Sequence, residues 1–219
     1  MVFLLIVLQS IALALPTVDE IIKQIDTNMN YDTRTAKIQM TVTKGRRVKK
    51  YELISHGRGK QEAAAEFFKP PREKGRKMLK KNSSLWIYLP NAEKTQKISG
   101  HMLRQGMMGS DMSYEDMLES TELFNLYQAK LLEEETINER LCYKIELIAN
   151  TQEVAYAKRI SWIDKENFVP VKEELYAISG KLIKVWTMSE VKDFNGRKFP
   201  TKMIVKDKLL TNSKTEIEF

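Results

Sequence analysis

The stretch Ala36-Lys37-Ile38-Gln39-Met40-Thr41-Val42-Thr43 alternates apolar and polar side chains without interruption. Successive side chains of a strand point to opposite faces, so Ala36, Ile38, Met40 and Val42 share one face, and the pattern predicts a half-buried strand. A different period precedes it. Thr17-Val18-Asp19-Glu20 reads as a capping box, in which the Thr17 hydroxyl accepts from the Glu20 amide and the Glu20 carboxylate reaches back. Behind it Val18, Ile21, Ile22 and Ile25 recur at helical spacing, predicting an amphipathic helix that runs to about Asn30.

Downstream the strand pattern repeats. Strands are predicted over 48–56, 61–68, 76–81, 85–89, 94–99, 127–137, 141–148, 156–164, 169–178, 182–191, 198–205 and 214–219. Turn residues separate several of them, at Pro70-Pro71, Pro90-Asn91, Ser179-Gly180 and Asn195-Gly196. Connections this short favour antiparallel pairing, and about a dozen strands in one sheet must curl or close. The expected fold class is therefore mostly β with a few helices (α+β), a strongly curved antiparallel sheet whose concave apolar face needs a cover. The helix after Thr17 is one cover. The irregular segment over 100–122 is another.

Composition narrows the function. The chain has 219 residues, 42% apolar and 30% charged, which is the balance of a folded globular protein of one ordinary domain. Its net charge is +7, and residues 44–81 carry fourteen basic against four acidic side chains while the rest is nearly balanced. Such a patch suits solvated strand faces or an anionic partner. No helix-turn-helix, aromatic RNP pattern or zinc knuckle accompanies it, so no nucleic acid partner is expected. Cys142 is the sole cysteine and His56 and His101 are the two histidines, which excludes an internal disulfide and most Cys/His metal sites. Neither a metal nor a cofactor is expected. Cys142 lies in the apolar stretch 141–148 and reads as a small buried hydrophobe.

Residues 1–15 are uncharged and almost wholly apolar. They are shorter than the about 20 residues of a membrane span and match the apolar region of a secretory signal. Cleavage is expected near Ala14, after Ala12-Leu13-Ala14, with Ser10-Ile11-Ala12 as a second site; no Lys or Arg precedes the run, and a buried N-terminal helix is the alternative. No cysteine follows directly to carry a lipid. An exported, soluble protein is thus expected, with one domain over 16–219.

The segment 102–118 reads MLRQGMMGSDMSYEDML and holds five methionines, Met102, Met107, Met108, Met112 and Met117. Methionine is unbranched and polarisable and repacks around ligands of variable shape. Gly106 and Gly109 punctuate the run, and Ser113-Tyr114-Glu115-Asp116 reads as a second capping box. A Met-lined lid over an apolar cavity and a loop permanently packed on the core both fit. His101, Ser110 and Asp111 have the residue types of a hydrolase triad, but no nucleophile-elbow sequence surrounds Ser110, and acidic residues at a helix start serve its dipole, so no enzyme activity is expected.

Four motifs in order resemble the bacterial outer-membrane lipoprotein-sorting proteins related to the LolA carriers. They are Phe67-Phe68-Lys69-Pro70-Pro71 with Lys74-Gly75-Arg76-Lys77-Met78-Leu79, then Leu85-Trp86-Ile87-Tyr88-Leu89-Pro90, then Lys97-Ile98-Ser99, and last Met108-Gly109-Ser110-Asp111 with Ser113-Tyr114-Glu115-Asp116. Weaker similarity continues through Cys142-Tyr143, Trp162-Ile163-Asp164 and Gly180-Lys181. The resemblance implies a half-barrel capped by helices and a cavity for lipid or lipoprotein acyl chains. It also implies the periplasm of a Gram-negative bacterium and hand-over to or from an RND-type transporter or a lipoprotein receptor; a monomer is expected. A lipid-responsive sensor on the same fold is the alternative. Candidate ligand-binding residues are Met40, Phe67, Leu79, Trp86, Tyr88, Met102, Met107, Met108, Met112, Trp162 and Trp186. Arg34 and Arg58 are the candidates for a lid-anchoring arginine, and the last strand, ending at Phe219, is expected to leave a sheet edge open.

Overall fold

The computed structural model describes residues 16–118, 123–152 and 154–219, so the predicted signal segment lies outside the described residues. The chain opens with helix α1 (Val18–Met29) and continues through strands β1 (Thr33–Lys44), β2 (Arg47–Arg58), β3 (Glu62–Lys69), β4 (Lys77–Lys81), β5 (Ser84–Leu89) and β6 (Lys94–Ile98). Two 3-10 turns, Gly100–Arg104 and Met107–Gly109, and two short helices, α2 (Tyr114–Leu118) and α3 (Leu123–Leu126), lead to β7 (Tyr127–Ile137). Strands β8 (Arg140–Ala149), β9 (Lys158–Asp164), β10 (Pro170–Tyr176), β11 (Leu182–Phe194), β12 (Arg197–Asp207) and β13 (Ser213–Glu218) complete the chain.

All thirteen strands form one unclosed, curved antiparallel sheet in the order β6-β5-β4-β3-β2-β1-β13-β12-β11-β10-β9-β8-β7. This is a continuous meander with one exception. Strands β1 and β13 pair over Gln39–Lys44 and Ser213–Glu218, which joins the two halves of the chain at the centre of the sheet. The last strand is therefore central, contrary to the expectation of an open edge there. The free edges belong to β6 and β7, which are neighbours in sequence. Their connection has to travel from one edge of the sheet to the other.

Pairing registers assign the faces. Met40, Val42, Tyr51, Leu53, Ala65, Phe67, Met78, Leu85, Ile87 and Ile98 alternate inward on β1–β6 and form one buried cluster with Ile217 of β13. On the other half, Tyr143, Ile145, Leu147 and Ile163 face α1 and bury Ile21, Ile22 and Ile25. Helix α1 starts with the predicted reciprocal cap, Thr17 N to Glu20 Oε2 at 2.8 Å and Glu20 N to Thr17 Oγ1 at 3.3 Å. Its C-terminal end is fixed to β12, where Asn28 Oδ1 accepts from Lys198 N at 3.1 Å and Arg197 donates to the Asn30 carbonyl. Cys142 is fully buried, on the opposite face beside Ile160, Trp162 and Val171.

Phe67 is fully buried at the centre of the first cluster, and its ring meets Tyr51 edge-on at 6.2 Å. Phe67→Ala should cost about 3–5 kcal/mol, and Thr17→Ala about 1 kcal/mol. Urea unfolding measures both, and comparable losses would mean that the Phe67 cluster contributes no more to stability than the α1 cap.

Candidate functional site

The β6–β7 connection covers the concave face. Its Met102, Leu103, Met107, Met108, Met112, Tyr114, Met117 and Leu118 pack on the β1–β6 cluster, together with Trp186 and Met203 from the far side of β13. The segment is also folded on itself. Gly106 bridges to Ser113, Met107 N donates to the Met112 carbonyl at 2.7 Å, and Ser110 N donates to the Met107 carbonyl at 2.8 Å. Gly106 is required by close approach: a Cβ there would lie 2.2 Å from the Ser110 carbonyl oxygen. Gly109 takes a left-handed φ of 77°, which costs glycine nothing. The predicted cap also forms, with Ser113 N to Asp116 Oδ2 at 2.6 Å and Asp116 N to Ser113 Oγ at 3.2 Å.

Three polar anchors tie this cover to the sheet. The Tyr51 hydroxyl donates to the Met108 carbonyl at 3.1 Å. Burial pushes the Tyr51 phenol above its ordinary value. Asp111, 2% exposed, is held by the β12–β13 hairpin: its Oδ2 accepts from Thr215 Oγ1 at 2.8 Å and Ser213 Oγ at 2.9 Å, and its Oδ1 accepts from Asp207 N at 3.2 Å. Asp116 meets Lys184 of β11 in an ion pair whose side chains are 7% and 5% exposed, and accepts from the Tyr156 hydroxyl at 2.5 Å. A charge pair this dry holds only with further hydrogen bonds, which Ser113 and Tyr156 supply.

The structure divides the predicted site residues between the two faces. Met40, Phe67, Met102, Met107, Met108, Met112 and Trp186 come together on the concave side. Leu79, Trp86 and Tyr88 lie on the convex side, since Leu79 pairs with Trp86 and both alternate with the inward Met78, Leu85 and Ile87. Lys97 sits 5.5 Å above the Trp86 ring. Trp162 is also convex, covered by Lys144 at 5.5 Å and Lys172 at 4.0 Å, with its indole N–H donating to Glu135 at 2.9 Å. Arg58 pairs with Glu62, and Arg34 lies against Gly57; the buried cation that meets the cover is Lys184, which the sequence reading missed. Its signal was its place two residues before Trp186, on the same inward parity of β11.

The triad residues are separated by these commitments. Ser110 Oγ donates to the Met112 carbonyl at 3.0 Å, while Asp111 faces the β12–β13 hairpin and His101 is exposed. Among the described residues no group of three or more His, Cys, Asp or Glu could hold a metal, and no described helix is long and apolar enough to cross a membrane.

Solved structures share this fold. A DUF1329 family protein from Desulfovibrio piger superposes with a TM-score of 0.83 at 22% identity, covering 90% of this chain and 88% of that one. A putative outer membrane lipoprotein-sorting protein domain from Vibrio parahaemolyticus gives 0.79 at 21% identity, over 90% and 86%. A LolA superfamily protein from Nitrosomonas europaea gives 0.76 at 22% identity, over 93% and 91%. No curated protein matches the sequence. A family model described as "Uncharacterized protein" matches residues 59–219.

Lys184→Ala strands the Asp116 carboxylate in a dry site and should destabilise the protein by about 3–5 kcal/mol. Asp116→Leu combined with Lys184→Met removes both charges and should recover most of that loss. Urea midpoints of the two variants provide the comparison; equal losses would mean that shape at this anchor matters more than charge.

Proposed function

Because the chain belongs to the family matched over residues 59–219 and has the LolA-like fold, we propose that it is an exported carrier that shelters a lipid or lipoprotein acyl chain under the β6–β7 cover. The observation that carries this reading is the cover itself. It spans the concave face, presents methionines to an apolar floor, and is held to the sheet by polar contacts at three points. An acyl chain entering between cover and floor replaces side-chain contacts with its own, and each methylene removed from water contributes about 0.8 kcal/mol. Methionine suits this exchange because its three side-chain torsions adapt to chains of different length.

The contact surface of the cargo is then the concave set Met40, Phe67, Met102, Met107, Met108, Met112 and Trp186, extended by Met117 and Met203. Leu79, Trp86, Tyr88 and Trp162 have no part in it. The outer-membrane lipoprotein-sorting relative and the fold support the periplasm as the compartment and transfer between membranes as the task. Passing the cargo to or from an RND-type transporter or a lipoprotein receptor belongs to the same proposal. The chemistry asked of the protein is binding and release, with no bond made or broken.

Native mass spectrometry of the protein recovered from periplasm should show an acylated adduct. Met108→Glu, on the cover, should abolish it, whereas Leu79→Glu, on the convex face, should leave it in place. Loss in both variants or in neither would sink the assignment of the concave face as the binding surface.

A further inference from the structure

Three successive hairpin turns at one end of the sheet carry an unusual surface. The β1–β2, β12–β13 and β10–β11 turns are neighbours, since Gly45 N donates to the Asn212 carbonyl at 2.8 Å and Lys208 N donates to the Ile183 carbonyl at 2.7 Å. Ile178 is 85% exposed, Val48 56%, Leu209 53% and Leu210 41%. Among the described residues these are four of the eleven exposed large apolar side chains, Ile178, Leu209 and Leu210 on turns and Val48 at the start of β2. Water-exposed apolar side chains concentrated in this way mark a contact surface.

The charge around them is one-sided. Residues 44–48, 177–182 and 206–214 hold seven Lys and Arg against one acidic residue, Asp207. Asp207 is half-buried, on the strand parity of Met203 and Val205, and its Oδ1 accepts from Leu209 N at 2.8 Å. Beside Leu210, a depression of about 390 Å³ is lined by Lys206, Lys208, Lys214, Ser213 and also Asp207, so three lysines stand against one carboxylate where a phosphate-bearing headgroup would sit. Apolar tips set among lysines match the two layers of an anionic membrane surface, where acyl carbon lies just beneath phosphate.

We infer that this end of the sheet docks on an anionic lipid bilayer, with Ile178, Leu209 and Leu210 entering the interface and the surrounding lysines meeting lipid phosphates. A soluble protein partner would be matched by apolar area over a flat patch, whereas these side chains stand on turn tips flanked by cations. The same end carries an anchor of the cover: Asp111 is bonded to Asp207, Ser213 and Thr215 at the base of the Leu209–Leu210 hairpin. Docking therefore brings the edge of the cover to the membrane.

Flotation with vesicles tests this without reference to any cargo. The protein should float with vesicles of phosphatidylglycerol and phosphatidylcholine at low salt, not with phosphatidylcholine alone, and added salt should weaken the binding. The triple variant Ile178→Ser, Leu209→Ser, Leu210→Ser should lose at least about tenfold in affinity, and Lys206→Glu with Lys208→Glu a comparable amount, both with unchanged thermal unfolding because every altered side chain is exposed. Met108→Glu should float as the unaltered protein does, which separates docking from acyl binding. The inference is overturned if the protein stays unbound at low salt, if the apolar-tip variant floats as well as the parent, or if soluble glycerol phosphate releases the protein from vesicles, the last identifying a site for free phosphate.

Discussion

The pairing of β1 with β13 governs this molecule. Strands that follow one another in sequence pair through tight turns at little entropic cost, but β1 and β13 lie almost a whole chain apart. By closing that distance the sheet moves its free edges to β6 and β7, two strands that adjoin in sequence. The link between them then has no path except across the sheet. A long crossing link is thus built into the strand order, and the apolar side chains of β1–β6 place it on the concave face.

Side chains decide how that cover behaves. Packed with leucine and isoleucine it would be one more layer of rigid core; packed with methionine it keeps burial while giving up a unique arrangement. The polar anchors supply the order that methionine does not. Asp111 and Asp116 lie five residues apart yet reach different strands, Asp111 the β12–β13 hairpin and Asp116 β11, so the cover is pinned at two places across the curvature of the sheet. Tyr51 holds a third point on β2. Apolar contact gives the affinity between cover and floor, and hydrogen bonds give the position.

Most of the architecture was legible because it is local. The capping boxes at Thr17 and Ser113, the period-2 strands and the turn dipeptides each follow from neighbours in sequence, and the structure reproduces them to within a few residues. The face of a strand was legible only where polar residues alternate with apolar ones. In Ser84–Leu89 nearly every residue is apolar, so parity is silent, and Trp86 and Tyr88 were assigned to a cavity that the register with β4 denies them. The central place of β13 and the partner of Asp116 were illegible for one reason. Both rest on pairings between distant parts of the chain, which no window of sequence displays.

The two free edges differ in a way that matters for self-association. Strand β6 is five residues long and carries Lys94 and Lys97, whereas β7 is eleven residues long, carries Glu133, Glu134 and Glu135, and is interrupted by a register shift between Leu131 and Glu133. A β6 edge of one copy pairing with the β7 edge of the next would be a head-to-tail contact able to propagate without end, but the β7 carboxylates are already paired with Lys144 and Lys165 of their own chain. Unequal length and the interruption in β7 leave few consecutive backbone partners for such a joint. The irregularity in β7 and the internal pairing of its carboxylates both make this edge a poor template for a further strand.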